Sequence, residues 1–260
     1  MTDVELVAGD AAAVLGGLPD ASVDLIVADP PYNLGKHYGN NIDRREAADY
    51  AAFTRAWTGQ AARVLKPQGT LYSFMGMRFI ARLYLMLEEE LGLAPNGWIT
   101  WHYTQGMGRT RGFSPRHEDI LCFVKGHDYH FDIDAVRVPQ KYFRKRNNMA
   151  GANPGDVWTF SHVHYCAGER TRHPTQKPEA LIERLVRASS KPGDMIVDPF
   201  VGSGTTARVA QVLGRRCLGI DINPDYVEMS RHRLLQPFEG FDSVDPRLDR
   251  RPLDMKAAAE

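Results

Sequence analysis

Hydrophobic positions along the chain follow two periodicities. Val4–Ala8 and Val23–Ala28 are short, β-branched apolar runs without strict alternation, closed by Gly9-Asp10 and by Asp29. Runs of this kind predict strands covered on both faces, as in parallel sheets. Between them, residues 10–18 have helical spacing and stop near Gly16-Gly17 and Pro19. Residues 49–64 predict a longer helix, with Phe53, Trp57, Ala61 and Val64 on one face. Lys66-Pro67-Gln68-Gly69 reads as a turn, 70–74 as a strand, 77–91 as a helix and 98–103 as an aromatic strand.

Residues 104–172 break this alternation. They are rich in Gly, Arg, His and aromatic residues, with only short strand-like pieces such as 120–124. A long irregular segment inside a compact domain is usually functional. The pattern then resumes with a helix at 178–188, a turn at 191–194, a strand at 195–197 and a glycine-rich loop. A helix at 205–213, a strand at 216–220 and a helix at 224–235 complete it. Strand–helix alternation on both sides of an irregular insert predicts an α/β fold around a parallel sheet. The expected organisation is a catalytic domain from 1–103 and 173–236, an inserted region at 104–172, and a flexible Pro- and charge-rich tail at 237–260.

Charge changes this picture only locally. The chain of 260 residues balances 32 basic against 32 acidic side chains, so the totals announce no polyanionic partner. Between Tyr103 and Arg172, however, eleven Lys or Arg face seven Asp or Glu. A basic middle in a neutral chain fits one face for a phosphate backbone, although a solvated loop would look the same. Three scattered cysteines (Cys122, Cys166, Cys217) point to a reducing cytosol rather than a disulfide framework. Met1 to Asp10 has no signal pattern, and no apolar stretch approaches the roughly 20 residues that span a bilayer, so no membrane association is expected.

Two motifs carry chemistry. Asp198-Pro199-Phe200-Val201-Gly202-Ser203-Gly204-Thr205-Thr206 follows a strand and opens a helix. Glycines there let a ligand approach backbone amides at a helix N-terminus, and Asp221 at the end of the next strand can accept from ribose hydroxyls. Together they predict a nucleoside site. Gly202-x-Gly204-x-x-Ala207 also satisfies the dinucleotide fingerprint, which keeps an NAD-dependent oxidoreductase as a rival, weakened because little chain remains for a substrate domain.

The second motif is Asp29-Pro30-Pro31-Tyr32, at the carboxyl edge of a strand, where open α/β sheets bind ligands. An exocyclic amine on an aromatic base is a poor nucleophile because its lone pair is delocalised into the ring. The Asp29 carboxylate and the Pro30 carbonyl can accept the two amine hydrogens, favouring a tetrahedral nitrogen. Asp29 also stabilises positive charge developing there. Two prolines fix the backbone, and Tyr32 offers a face for base stacking.

These motifs, with His173-Pro174-Thr175-Gln176-Lys177-Pro178, closely resemble the beta-class DNA amino-methyltransferases, among them the bacterial adenine methyltransferases of the YhdJ type. The resemblance runs from Gly9 to about Leu235. Their order is the circularly permuted beta order: catalytic tetrapeptide, recognition insert, cofactor loop. The resemblance implies a Rossmann-like S-adenosylmethionine-dependent methyltransferase sheet with helices on both faces. It implies that Asp29, Pro30, Pro31 and Tyr32 are catalytic. It places Asp10, Asp29, Thr175, Lys177, Asp198, Phe200, Gly202, Ser203, Gly204, Thr205 and Asp221 at the S-adenosylmethionine site, with 104–172 as the target-recognition region.

An Asp at the head of the tetrapeptide favours adenine N6, whereas relatives acting on cytosine N4 more often carry Ser or Thr. No cysteine follows a proline, which argues against ring-carbon methylation. Double-stranded DNA is the expected substrate, its target base flipped out and stacked against Tyr32 or Tyr38. Arg109, Arg111, Lys141, Arg144 and Arg146 are candidate DNA contacts. The pairs His127/His130 and His162/His164 lack a completing ligand set, so no metal is expected. A homodimer through an apolar patch of the 77–91 helix, a cognate restriction endonuclease as partner, and a DNA-binding protein with a vestigial pocket all remain open.

Overall fold

In the computed structural model, which describes residues 3–38, 43–104, 106, 108–140, 150–164 and 167–241, eight strands form a single sheet. The chain runs β1 (Val4–Ala8), α1 (Ala11–Gly16), β2 (Val23–Ala28), α2 (Ala47–Val64), β3 (Leu65–Met75) and α3 (Ile80–Leu85). It continues through β4 (Ala94–His102), β5 (His117–Val124), β6 (Val157–Thr159) and α4 (Glu179–Ser189). It ends with β7 (Met195–Asp198), α5 (Thr205–Val212), β8 (Arg216–Asp221) and α6 (Pro224–Leu234). The strand order is β1-β8-β7-β2-β3-β5-β4-β6. The first five are mutually parallel; β5 is antiparallel to both neighbours, and β6 is parallel to β4.

Helices cover both faces. Leu15 of α1, Trp57 and Ala61 of α2 and Leu83 of α3 pack with Ile26, Leu71 and Val197 on one side. Leu185 of α4, Val209 of α5 and Val227 of α6 pack with Leu25, Val27, Phe74 and Ile196 on the other. Leu25, Ile26, Val27 and Ala28 are all buried, because a central parallel strand loses both faces to helices.

The crossovers open the site. From β7 the chain passes through α5 to β8 on one side, and from β2 through α2 to β3 on the other. The loops leaving β7 and β2 therefore diverge between adjacent strands, the topological switch point at which such sheets bind ligands.

Some expectations shift. Lys66-Pro67-Gln68-Gly69 is not a free turn but a bulge inside β3, because Val23 pairs with Leu65 while Leu25 pairs with Thr70. The helix expected at 77–91 begins at Ile80 and turns π-helical over Met86–Glu90. The region 104–172 is only partly an insert: β5 lies within the sheet between β3 and β4, and β6 extends its edge. Of the tail, Phe241 packs against the core, and 242–260 lie outside the described residues.

Candidate active site

The loop after β2 is fixed before any ligand is considered. Pro30 is buried, and the Pro31 carbonyl accepts from the Tyr50 hydroxyl of α2 at 2.8 Å. Asn33, at a left-handed φ of +58°, donates to the Arg45 carbonyl at 2.9 Å and accepts from the Arg45 amide at 2.7 Å. Asn tolerates that backbone better than most residues, and the paired bonds hold it there. The strand end and both prolines thus present Asp29 and Tyr32 from an anchored loop.

The Tyr32 hydroxyl lies 2.8 Å from Asp29 Oδ1 and 3.0 Å from Glu118 Oε2. Lys177 Nζ lies 2.7 Å from Asp29 Oδ2 and 3.2 Å from Glu118 Oε2, and rests over the rings of Tyr32 and Phe74. Burial pushes the Asp29 carboxyl above its ordinary range, with Lys177 acting against it. Glu118 falls below its ordinary value: burial works upward, but the Lys177 charge and the Tyr32 hydrogen bond outweigh it. For Lys177 the burial penalty is more than offset by the two carboxylates, and the ammonium is held firmly charged.

Next to this cluster opens a cleft between the loop after β2 and the glycine-rich loop. Asp10, Asp29, Thr175, Phe200, Gly202 and Asp221 line it, together with Phe53 and Tyr226. Asp10 also caps α1, accepting from the Ala13 amide at 2.9 Å. Asp221 accepts from Gly202 and Asn223 amides at 3.0 and 2.8 Å while remaining in the cleft wall. The Phe200 ring is edge-on to Trp57 at 5.3 Å. Gly202 has φ +49°, and a Cβ there would lie 2.9 Å from His173 Nε2. A cleft lined by aromatic rings and carboxylates suits a cationic nucleoside, which is the chemistry of S-adenosylmethionine.

Ser203, Thr205 and Asp198 line a smaller adjoining recess. Arg233 of α6 lies 3.3 Å from the Ser203 hydroxyl and donates to Thr205 Oγ1 at 3.0 Å. A Cβ on Gly204 would lie 2.9 Å from Ser230, so this glycine is required by close packing of α6. Lys177, expected at the cofactor, has its ammonium on the carboxylates of Asp29 and Glu118. Tyr38 lines the main cleft, where Asn223 donates to its carbonyl at 3.3 Å.

The His173 motif divides its labour. His173 stacks edge-on against Tyr226 at 4.5 Å, its imidazole pushed down to about 3 by burial and nearby cations. Gln176 accepts from the Thr171 amide at 2.8 Å and donates to the Glu169 carbonyl at 2.7 Å. Glu118 was not anticipated from the sequence. The signal lies in the alternation of β5, where Glu118 shares a face with Ile120 and Cys122 of the core. Arg109 and Arg111 are exposed on the loop joining β4 to β5, beside a fully exposed Phe113. Lys141, Arg144 and Arg146 lie outside the described residues. Cys122, buried in the core, has its thiol pushed up to about 11 by burial, the reverse of an activated nucleophile.

Residues 23–232 match the DNA methylase family of N6 and N4 methyltransferases. The Type II methyltransferase M.HpaI of Haemophilus parainfluenzae is 54% identical over 97% of this chain and 81% of its own length. The DNA adenine methyltransferase YhdJ of Escherichia coli K12 is 37% identical over 88% of this chain and 82% of its own. Among solved structures, the cytosine-N4-specific PvuII DNA methyltransferase superposes with a TM-score of 0.76, at 19% identity over 92% of this chain and 89% of that one. TTHA0409 of Thermus thermophilus, in complex with S-adenosyl-L-methionine, gives 0.65 at 27% identity over 91% and 95%. A sheet with its switch point between β7 and β2, an acidic tetrapeptide on one lip and a glycine loop on the other agree with this match, and the chain belongs to the S-adenosylmethionine-dependent N6/N4 DNA methylase family.

Proposed function

We propose that this enzyme methylates the N6 amine of adenine at specific sites in double-stranded DNA, on a base flipped out of the helix. The observation that carries the reading is the Asp29 carboxylate, anchored at the end of β2 and facing both the cleft and the Lys177–Glu118–Tyr32 cluster. Asp29 at the head of the tetrapeptide and the similarity to an adenine methyltransferase favour adenine over cytosine N4.

When bound, S-adenosylmethionine supplies an electrophilic methyl on a sulfonium. Asp221, in the cleft wall, would take the ribose hydroxyls, with the Phe200 ring beside it. Asp29 and the Pro30 carbonyl accept the amine hydrogens, concentrating the lone pair on nitrogen. The amine held by Asp29 and Pro30 would accept that methyl, the sulfur keeping the electrons of the broken carbon–sulfur bond, and the surplus amine proton would pass to solvent. Asp29 stabilises the positive nitrogen meanwhile.

The DNA face is proposed on the loop between β4 and β5, which carries Arg109, Arg111 and Phe113 and leads directly into Glu118. This narrows the recognition role within 104–172 to segments outside β5. A face for a second copy on the 77–91 helix is restricted, because Ile80, Leu83, Met86 and Leu87 are spent on the core, leaving Met77 and Leu85 exposed. Similarity to Type II methyltransferases favours membership of a restriction–modification pair. Digesting methylated DNA to nucleosides tests the base: N6-methyldeoxyadenosine is expected, and N4-methyldeoxycytidine as the sole product overturns the adenine assignment.

A further inference from the structure

The cluster around Asp29 contains one more carboxylate than the tetrapeptide supplies. Glu118 reaches it from β5, the one strand antiparallel to both its neighbours, far from the motifs in sequence. Its register is set by pairing with Trp101 of β4, and its side chain lies on the face that Ile120 and Cys122 give to the core. A carboxylate on a core face is costly unless paired, and Glu118 is paired twice, with Lys177 and with Tyr32.

Charge counting shows what it does. With Lys177 alone beside it, Asp29 would belong to a neutral pair. An ammonium 2.7 Å from Oδ2 opposes positive charge growing on a nitrogen held by the same carboxylate. With Glu118 present the cluster is two carboxylates around one ammonium, and a net negative charge remains for the reacting amine. Glu118 is also a second acceptor for each donor that occupies Asp29. The Tyr32 hydroxyl has one proton and two carboxylates within reach. Lys177 can shift its weight to Glu118 as the amine hydrogens take Asp29.

We propose that Glu118 is a positioning residue for methyl transfer: it draws the Lys177 ammonium and the Tyr32 hydroxyl off Asp29 and leaves the surplus negative charge that the methylated amine requires. This rests on Asp29 as the acceptor of the target amine and holds for adenine or cytosine alike.

The test is kinetic, on the full-length enzyme with DNA and S-adenosylmethionine. Glu118→Gln should lower kcat on the order of 10²-fold with the KM for S-adenosylmethionine little changed, since the charge is needed only in the transition state. Glu118→Asp should recover part of that loss. Adding Lys177→Met to Glu118→Gln should raise kcat above that of the single variant, because net charge returns to Asp29. A structural role predicts the opposite, since a second change in a packed cluster compounds the damage. Wild-type kcat for Glu118→Gln, or a double variant slower than the single one, overturns the proposal. The nucleoside product of the wild type is read separately, so a cytosine product would remove the adenine assignment and leave Glu118 untouched.

Discussion

Lys177 Nζ lies 2.7 Å from Asp29 Oδ2, joining the segment before α4 to the loop after β2 across the switch point of the sheet. The ammonium is almost wholly enclosed, and Glu118 shares it at 3.2 Å. Removing it alone leaves two carboxylates facing each other in a buried setting. Lys177→Met is expected to cost roughly 3–5 kcal/mol of folding stability. Urea unfolding midpoints check this, and a variant as stable as the wild type would show that the pair is solvated.

Gly202 meets two constraints at once, a φ of +49° and a neighbouring imidazole 2.9 Å from where a Cβ would stand. Gly202→Ala must push His173 off the ring of Tyr226 or reshape the lip of the cleft. Weaker S-adenosylmethionine binding by calorimetry is expected, together with a lower Tm. Unchanged affinity would move the ligand away from this loop.

Asp198 is buried at the end of β7, and burial pushes its carboxyl up to about 7, against the Thr206 hydrogen bond and the Phe200 amide. The folded state therefore holds this proton more tightly than the unfolded chain. Stability from this group is complete below the ordinary carboxylate value of 3.8 and declines as pH rises toward 7. Asp198→Asn should remove that decline, so its Tm relative to wild type rises across the same interval. Parallel Tm profiles would contradict a protonated Asp198.

Arg109 and Arg111 project from an exposed loop at the mouth of β5. As phosphate contacts, each replaced by Ala should weaken DNA binding similarly for all sequences and reduce the slope of log affinity against log salt by about 1. An unchanged slope assigns the backbone contacts to other residues.

Val23–Ala28 was legible because burial on both faces erases alternation, whereas Val4–Ala8, expected to be covered in the same way, is the edge strand and buries only Leu6. The glycine loop and the tetrapeptide were legible because their chemistry is local to a few consecutive residues. Glu118 was obscured because its role depends on strand pairing: only after β5 enters the sheet between β3 and β4 does its side chain meet Lys177. Lys177 meets the carboxylates of Asp29 and Glu118 from the segment before α4, where its motif alone pointed to the cofactor. Ser203 and Gly204, read as ligand contacts in the motif, also pack against α6 through Arg233 and Ser230. A sequence pattern marks a tight loop without saying which neighbour requires the tightness.

The measurement closest to the central claim is single-turnover methyl transfer by Asp29→Ala, with S-adenosylmethionine binding followed on the same protein. Asp29 as the acceptor of the target amine predicts a loss of at least about 10²–10³-fold in the transfer rate while the cofactor still binds. A variant that transfers the methyl group at the wild-type rate would contradict it.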